Sequence, residues 1–360
     1  MNYQAKERMW GSLFVLPYMV IFGLFLLYPF AKGIWISLHE WNLLEVAFNP
    51  DAKEFVGLDN YIKLLFPRSW DFEWDQLLLF RVFLGAGLTF LVWNANKKNK
   101  MTPLLWGLSI AALLIIVYLM GWGPENGGRI GDRRFWTSVG NTVKFVLYVG
   151  PLITVLALVL AIQLNKPGKT TAILRTIFFS TQVLSVTVVT LVWQLMYSPQ
   201  NGFIANIFEI FGMDSIAWLT NQNLAMPAIV IATVWWSLGF ALVVFLSGLQ
   251  SIPNDRLEAA RLDGAKGWGI IWYVIVPSIK GTITFVLIMQ LVLHFQVFGQ
   301  SHLMTNGGPG DSTQVLVRYI YQTAFRDSNV GYASAMAIML FIIMMTFSLI
   351  QAKVSKRGEQ

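Results

Sequence analysis

The sequence predicts an all-α membrane protein with about eight transmembrane helices. Three observations carry that reading. Of 360 residues, 56% are apolar and only 12% are charged, about half the charge density of an ordinary soluble chain. The mean hydropathy is +0.57. The charges present lie between long apolar blocks, not within them. A soluble globule and a disordered chain are excluded. The absence of cysteine excludes a disulfide scaffold, thiol catalysis and thiolate-bound metals. The net charge of +7 is spread over short loops, as on a chain facing an anionic lipid surface, and no basic face for nucleic acid is formed.

A helix needs about 20 apolar residues to cross a bilayer, because unpaired backbone groups are not tolerated in hydrocarbon. Eight such runs are read, at 11–31, 77–93, 103–122, 139–164, 177–197, 225–249, 282–302 and 331–351. The first follows Lys6 and Arg8 but is longer than a signal-peptide core and lacks an A-x-A site, so it reads as a retained anchor. The run 77–93 is short and holds Arg81, near enough to one end to snorkel; a re-entrant or interfacial helix is its alternative.

Lys and Arg in the loops set the orientation. With the N-terminus inside, the inner segments hold Lys6 and Arg8; Lys97, Lys98 and Lys100; Lys166, Lys169 and Arg175; Arg256, Arg261 and Lys266; and Lys353, Lys356 and Arg357. The first outer segment is rich in acid: Glu40, Glu45, Asp51, Glu54, Asp59, Asp71, Glu73 and Asp75. Arg129, Arg133 and Arg134 are the exception. An even number of crossings puts both termini in the cytoplasm.

None of the eight runs contains Asp or Glu. Ion-coupled transporters usually need an intramembrane carboxylate that titrates or ligates a cation, so coupling to an ion gradient has no evident means here. Gly168, Lys169 and Thr170 resemble the end of a phosphate loop, but position 163, where its first glycine belongs, is Gln. No zinc-protease signature, nucleophile elbow or cleft of paired carboxylates is visible. The three histidines, His39, His294 and His302, are dispersed, so no metal site is expected. The chain reads as non-catalytic, and active transport through it would draw its energy from elsewhere.

The most informative segment is 251–277, SIPNDRLEAARLDGAKGWGIIWYVIVP. Asp255 and Glu258 have the spacing of a capping box. A helix of about two turns follows to Leu262, and Gly264 suits a left-handed C-terminal position. A second short helix then leads to Pro277, where the next membrane helix is expected to start. Leu257, Ala259 and Ala260 supply a small apolar face, and Arg256, Glu258 and Arg261 a charged one. From the residues alone, a docking element and an ordinary surface helix both remain open.

Glu258-Ala259-Ala260, then Gly264 after three residues, then Val274-Ile275-Val276-Pro277 closely resembles the EAA motif of ABC importer permeases. The usual I-x-L-P ending is V-x-V-P here. The flanking Gly248-Leu249-Gln250-Ser251-Ile252-Pro253, together with Trp41-Asn42-Leu43-Leu44, Phe55-Val56-Gly57-Leu58-Asp59-Asn60-Tyr61, Asn141-Thr142 and Thr305-Asn306-Gly307-Gly308-Pro309-Gly310, resembles the carbohydrate-uptake branch, of the maltose and glycerol-phosphate permease type. The match covers 8–66 and about 133–352. It implies a type I ABC importer transmembrane fold. It also implies a second homologous permease, two cytoplasmic ATPase subunits that hold the ATP and magnesium, and an extracytoplasmic solute-binding protein. Asp255, Glu258, Ala259, Ala260, Asp263 and Gly264 become the expected ATPase-coupling residues. The implied organisation is an N-terminal helix and extracytoplasmic segment (1–66), an inserted membrane hairpin (67–132) with a basic turn at 94–100, a permease core (133–352) and a cytoplasmic tail (353–360). The hairpin departs from the family pattern.

Two membrane runs carry polar residues at helical spacing. Thr233, Trp236, Ser237 and Phe240 share one face of the run 225–249; Gln290, Leu293, His294 and Val297 repeat the spacing in 282–302. Flat aromatics beside neutral hydrogen-bonding groups suit a sugar, whereas helix–helix packing is the plainer explanation. The resemblance aligns these eight positions with a transmembrane sugar site, so a sugar-like solute is expected. Glycerol phosphate or another polar solute is the alternative; a membrane enzyme on lipid-linked sugar is a third reading, which would need a cluster such as Asp71, Glu73 and Asp75.

Overall fold

A computed structural model of the chain describes residues 3–66, 70–72, 122–124 and 131–357. The predicted run 77–93 and all but the last residue of the run 103–122, with Arg81 and the turn 94–100, lie outside the described residues. The chain falls into two compact units. The smaller comprises Leu38–Glu40 and Glu54–Arg133. In it β1 (His39–Glu40) pairs antiparallel with β2 (Glu54–Phe55). Helix α4 (Asp59–Leu65) returns Asn60 to donate to the His39 carbonyl at 3.0 Å. A second short pair, β3 (Trp70–Phe72) and β4 (Trp122–Pro124), lies farther along.

The larger unit is helical. It begins with α1 (Tyr3–Phe22), continued through a π-helical turn into α2 (Tyr28–Ser37), and α3 (Leu43–Phe48) follows. The remaining helices are α5 (Arg133–Leu164), α6 (Lys169–Ser180), α7 (Val186–Met196), α8 (Phe203–Ile210), α9 (Ala225–Gln250) and α10 (Asn254–Leu262). Then come α11 (Trp268–Ile270), α12 (Val276–Ser278), α13 (Lys280–Phe295), α14 (Gly299–Met304), α15 (Leu316–Tyr321) and α16 (Val330–Arg357). Among the described residues four helices are long and apolar enough to span a membrane, and six spans result if each of two bent pairs counts as one.

The expected run 177–197 is one of those bent pairs. It breaks between α6 and α7 with a 104° turn, because Leu184 and Ser185 are extended and the Ser185 hydroxyl caps α7 at the Val188 amide. The run 282–302 likewise stops at Phe295, and His302 belongs to the separate helix α14. The start expected at Pro277 also moves. The helix through Pro277 continues to Ser278, and the membrane helix leaves at 73° from Lys280. These corrections share a cause: apolar composition reports burial in lipid, not helix direction.

Five α5 residues at intervals of four, Phe145, Val149, Ile153, Ala157 and Ala161, are fully buried and enter the same core as Ala228, Ala232, Leu242 and Phe245 of α9. Small residues let backbones approach closely. A Cβ on Gly239 would lie 2.2 Å from the Phe178 carbonyl oxygen, so α6 crosses α9 backbone to backbone there.

At 32 residues α5 is about 48 Å long, well beyond the ~30 Å hydrocarbon thickness. Its N-terminal end meets the 305–314 segment. Arg134 forms a bidentate pair with Asp311, at 3.0 Å for the closest contact. Asn141 donates to the Asp311 and Gln314 carbonyls at 2.8 and 3.1 Å, and Thr142 accepts the Leu316 amide. Arg318, buried, donates to Asn306 and Gln314. Burial, then the neighbouring Arg326 and Arg134, hold it below the ordinary arginine range.

The Arg134–Asp311 pair is about 40% exposed on both sides, so it is worth about 0–1 kcal/mol. Asn141 is 8% exposed, and its loss strands two carbonyls. Asn141→Leu is therefore expected to destabilise by about 1–3 kcal/mol and Arg134→Ala by less, read from thermal unfolding in detergent. Equal shifts would contradict this ranking.

Candidate functional site: a membrane cavity and a helical elbow

Two features stand apart. The first is a cavity of about 280 Å³. Trp236, Ser237 and Phe240 reach it from α9, and Gln290, Leu293 and His294 from α13. Beyond the end of α13 the chain adds Gln296, Val297, Phe298, Gly299 and Gln300; Gln182 and Val186 come from the α6–α7 break. Seven of the eight residues expected from sequence thus line one space. The eighth, Thr233, is fully buried in the core, with its hydroxyl on the Ile229 carbonyl at 2.8 Å. A hydroxyl satisfied one turn back along its own helix has no need of a cavity partner.

No Asp, Glu, Lys or Arg lines it: the side-chain polar groups are four glutamine amides, one serine hydroxyl, the Trp236 indole and the imidazole. His294 is 4% exposed, and its Nδ1 lies 2.8 Å from the Gln290 carbonyl. A carbonyl only accepts, so Nδ1 is the donor and Nε2 of the neutral ring is left as an acceptor. The Gln290 side chain is 1% exposed and its Oε1 has no partner. An unsatisfied buried acceptor is costly, and a hydroxylated guest would satisfy it. The Trp236 indole donates to the Leu184 carbonyl at 3.1 Å, which fixes the ring plane.

Gln182, Gln296, Phe298 and Gln300 escaped sequence reasoning because none lies on the periodic face of a straight helix. The available signal was three polar or aromatic residues, Gln296, Phe298 and Gln300, in five positions after an apolar run.

The second feature is the elbow at 251–280. The capping box is not formed. Pro253, extended at ψ 134°, precedes the helix, so α10 starts at Asn254 and no side chain caps it. Asp255 sits inside the first turn, where its charge complements the helix dipole. The C-terminal expectation holds. Gly264 has φ +84°, its amide bonds the Arg261 carbonyl at 3.1 Å, and the Ala265 amide bonds Ala260 at 2.9 Å. That is a Schellman closure. Asp255, Glu258, Ala259, Asp263 and Gly264 are exposed, while Ala260 is half-buried. Ala259, Ala260 and Asp263 face Tyr273, Val274 and Pro277 across an open groove of about 440 Å³. Leu262, Trp268, Trp272 and Tyr273 are 61–88% exposed.

A helical membrane protein with a cavity free of Asp, Glu, Lys and Arg among its spans, and a short helix beside a span end, has the make-up of a transport subunit. Residues 153–359 match the family described as binding-protein-dependent transport system inner membrane component, and the chain belongs to that family: it is a permease subunit of an ABC importer. It is 26% identical over 351 residues to the trehalose/maltose transport system permease protein MalF of Thermococcus litoralis, covering 98% of this chain and 95% of that protein. It is 34% identical over 230 residues to the multiple sugar-binding transport system permease protein MsmF of Streptococcus mutans, covering 63% and 78%. In fold it resembles a chain of the crystal structure of a bacterial ABC transporter that imports the acidic polysaccharide alginate, with TM-score 0.57 and 22% identity over 74% of this chain and 98% of that one.

Gly264 has open space around its Cα, so steric clash is not what requires glycine there. Gly264→Ala should cost only the left-handed backbone penalty, about 1 kcal/mol, and leave the protein inserted and folded. A collapse of thermal stability with alanine would contradict this account of the elbow.

Proposed function

We propose that the chain forms half of a translocation pathway for a sugar or oligosaccharide in the cell inner membrane. Its partners are a second homologous permease, two ATPase subunits and an extracytoplasmic binding protein. The observation that supports the cargo is the cavity: uncharged amides and an imidazole acceptor beside Trp236, Phe240 and Phe298. Sugar rings stack on aromatics and their hydroxyls pair with neutral donors and acceptors. The printed names of the trehalose/maltose and multiple-sugar relatives agree with this. Glycerol phosphate is the second candidate, but no Lys or Arg lines the cavity to neutralise a phosphate; the sibling permease would have to supply one.

In this proposal ATP and magnesium are held by the ATPase subunits, and no cofactor resides here. The elbow is the contact: α10 docks in an ATPase cleft through Asp255, Glu258, Ala259, Ala260 and Asp263, and Gly264 turns the chain back. In this proposal the elbow and both termini lie in the cytoplasm, a reading supported by the Lys and Arg of the loops. The segments 55–61 and 305–310 then face outward, where a binding protein would land. Arg133 and Arg134, the exception to the charge pattern, belong to the overlong end of α5, and Arg134 is neutralised by Asp311.

His294→Ala is expected to lower sugar uptake about tenfold while basal ATP hydrolysis by the complex persists; a hydrogen bond to the solute is worth about 1.5 kcal/mol, or tenfold. Unchanged uptake would assign His294 to packing. Glu258→Lys, exposed and without a structural partner to lose, should leave assembly intact and separate ATP hydrolysis from uptake in proteoliposomes. Normal coupling in that variant would remove Glu258 from the contact.

A further inference from the structure

The elbow has a second exposed face, which the contact through α10 leaves unused. From Trp268 to Ser278 the chain is one continuous helix, α11 to α12, with a π-helical stretch at Ile271–Ile275. Its faces divide by spacing. Ile275 and Ile279 turn toward the helical core. Tyr273, Val274 and Pro277 line the groove beside α10. Trp268 and Trp272, four residues apart, belong to neither the core nor the groove. They are 69% and 61% exposed.

Three observations say what covers them. First, this helix meets α13 at 73°. Membrane-spanning helices tilt by about 20° on average, so the elbow helix lies within about 40° of the membrane plane. It joins α13 at the end of the span, at the depth of the bilayer surface. Second, indole rings concentrate at that depth, where an apolar body and an N–H donor are both accommodated. Third, the stretch between Lys266 and Lys280 holds no charged residue, and both flanking lysines are exposed. Cations at the two ends of an apolar stretch match a layer of lipid phosphates. Helix α10 differs: it presents Asp255 and Glu258, with Asp263 at its end, and an anionic surface repels these. We infer that Trp268 and Trp272 seat the elbow in the phospholipid headgroup layer and so hold α10 clear of the membrane at a fixed height. This rests on α10 being the ATPase contact and adds a lipid contact on a different face of the elbow.

The chain has no cysteine, so single positions can carry a nitroxide. Trp268→Cys and Trp272→Cys would be spin-labelled, with Leu262→Cys, 88% exposed at the end of α10, as the reference. Each would be assembled with the partner subunits in nanodiscs of phosphatidylcholine and phosphatidylglycerol. Depth is read from collisions with oxygen, which concentrates in hydrocarbon, and with a nickel chelate, which stays in water. The oxygen-to-nickel collision ratio at 268 and 272 is expected to exceed that at 262 by at least about threefold, because the apolar gas partitions into lipid. An aqueous ratio at either tryptophan position, or shielding of either from both probes, would overturn the lipid seat. The tryptophans would then meet water or a subunit, and the ATPase contact of α10 would stand. A ratio at 262 as high as at 268 and 272 would put α10 itself on lipid and overturn the ATPase contact on which the inference rests.

Discussion

A peptide group that meets hydrocarbon without a hydrogen-bond partner is the state this structure is arranged to avoid. Straight helices such as α9 pair their own backbone along their full length. Where the ladder stops inside the membrane, at 181–185, the freed positions are held by named partners: the Ser185 hydroxyl accepts from the Val188 amide, and the Trp236 indole donates to the Leu184 carbonyl. The same constraint explains why the cavity forms where it does. A break brings polar backbone into the membrane, polar backbone demands partners or water, and a space that admits water also admits a polyhydroxylated solute. In the proposed function the amides and the imidazole then set what the space prefers.

The elbow obeys a related rule at the other end of the span. Helix α10 ends in a Schellman closure with its last carbonyls satisfied, so it keeps its shape while its acidic and small residues stay exposed. A helix that needs no neighbour to complete it can be pushed as a rigid piece. The 73° turn between Ser278 and Lys280 joins it to α13, which carries Gln290, Leu293 and His294. Force applied at the elbow therefore has a short covalent route to one wall of the cavity. In the proposed function this is the route by which energy enters.

The straight spans were legible in the sequence because length and apolarity are all they require: the run expected at 225–249 is the helix Ala225–Gln250. Gly264 was legible because a left-handed residue after a capped turn asks for glycine. The breaks were not. Positions 181–185 and 296–298 contain neither Gly nor Pro, and their conformation is fixed by contacts from α9 and α14 that no local pattern announces. The seven cavity residues came from periodicity and resemblance together, and Thr233 shows the limit of periodicity: it shares the spacing of Trp236 and Phe240 yet turns into the core. The capping expectation at Asp255 failed for a local reason, since Pro253 takes the N-cap position and the helix starts two residues earlier, at Asn254.

The central claim is that this chain conducts while another protein supplies the power. Solute accumulation in proteoliposomes tests it most directly, comparing the whole complex, the complex with hydrolysis-dead ATPase subunits, and this chain with its sibling permease alone. The account predicts uphill accumulation only in the first, unaffected by an agent that collapses proton gradients. Accumulation against a gradient by the two permeases without a nucleotide-hydrolysing partner would contradict it.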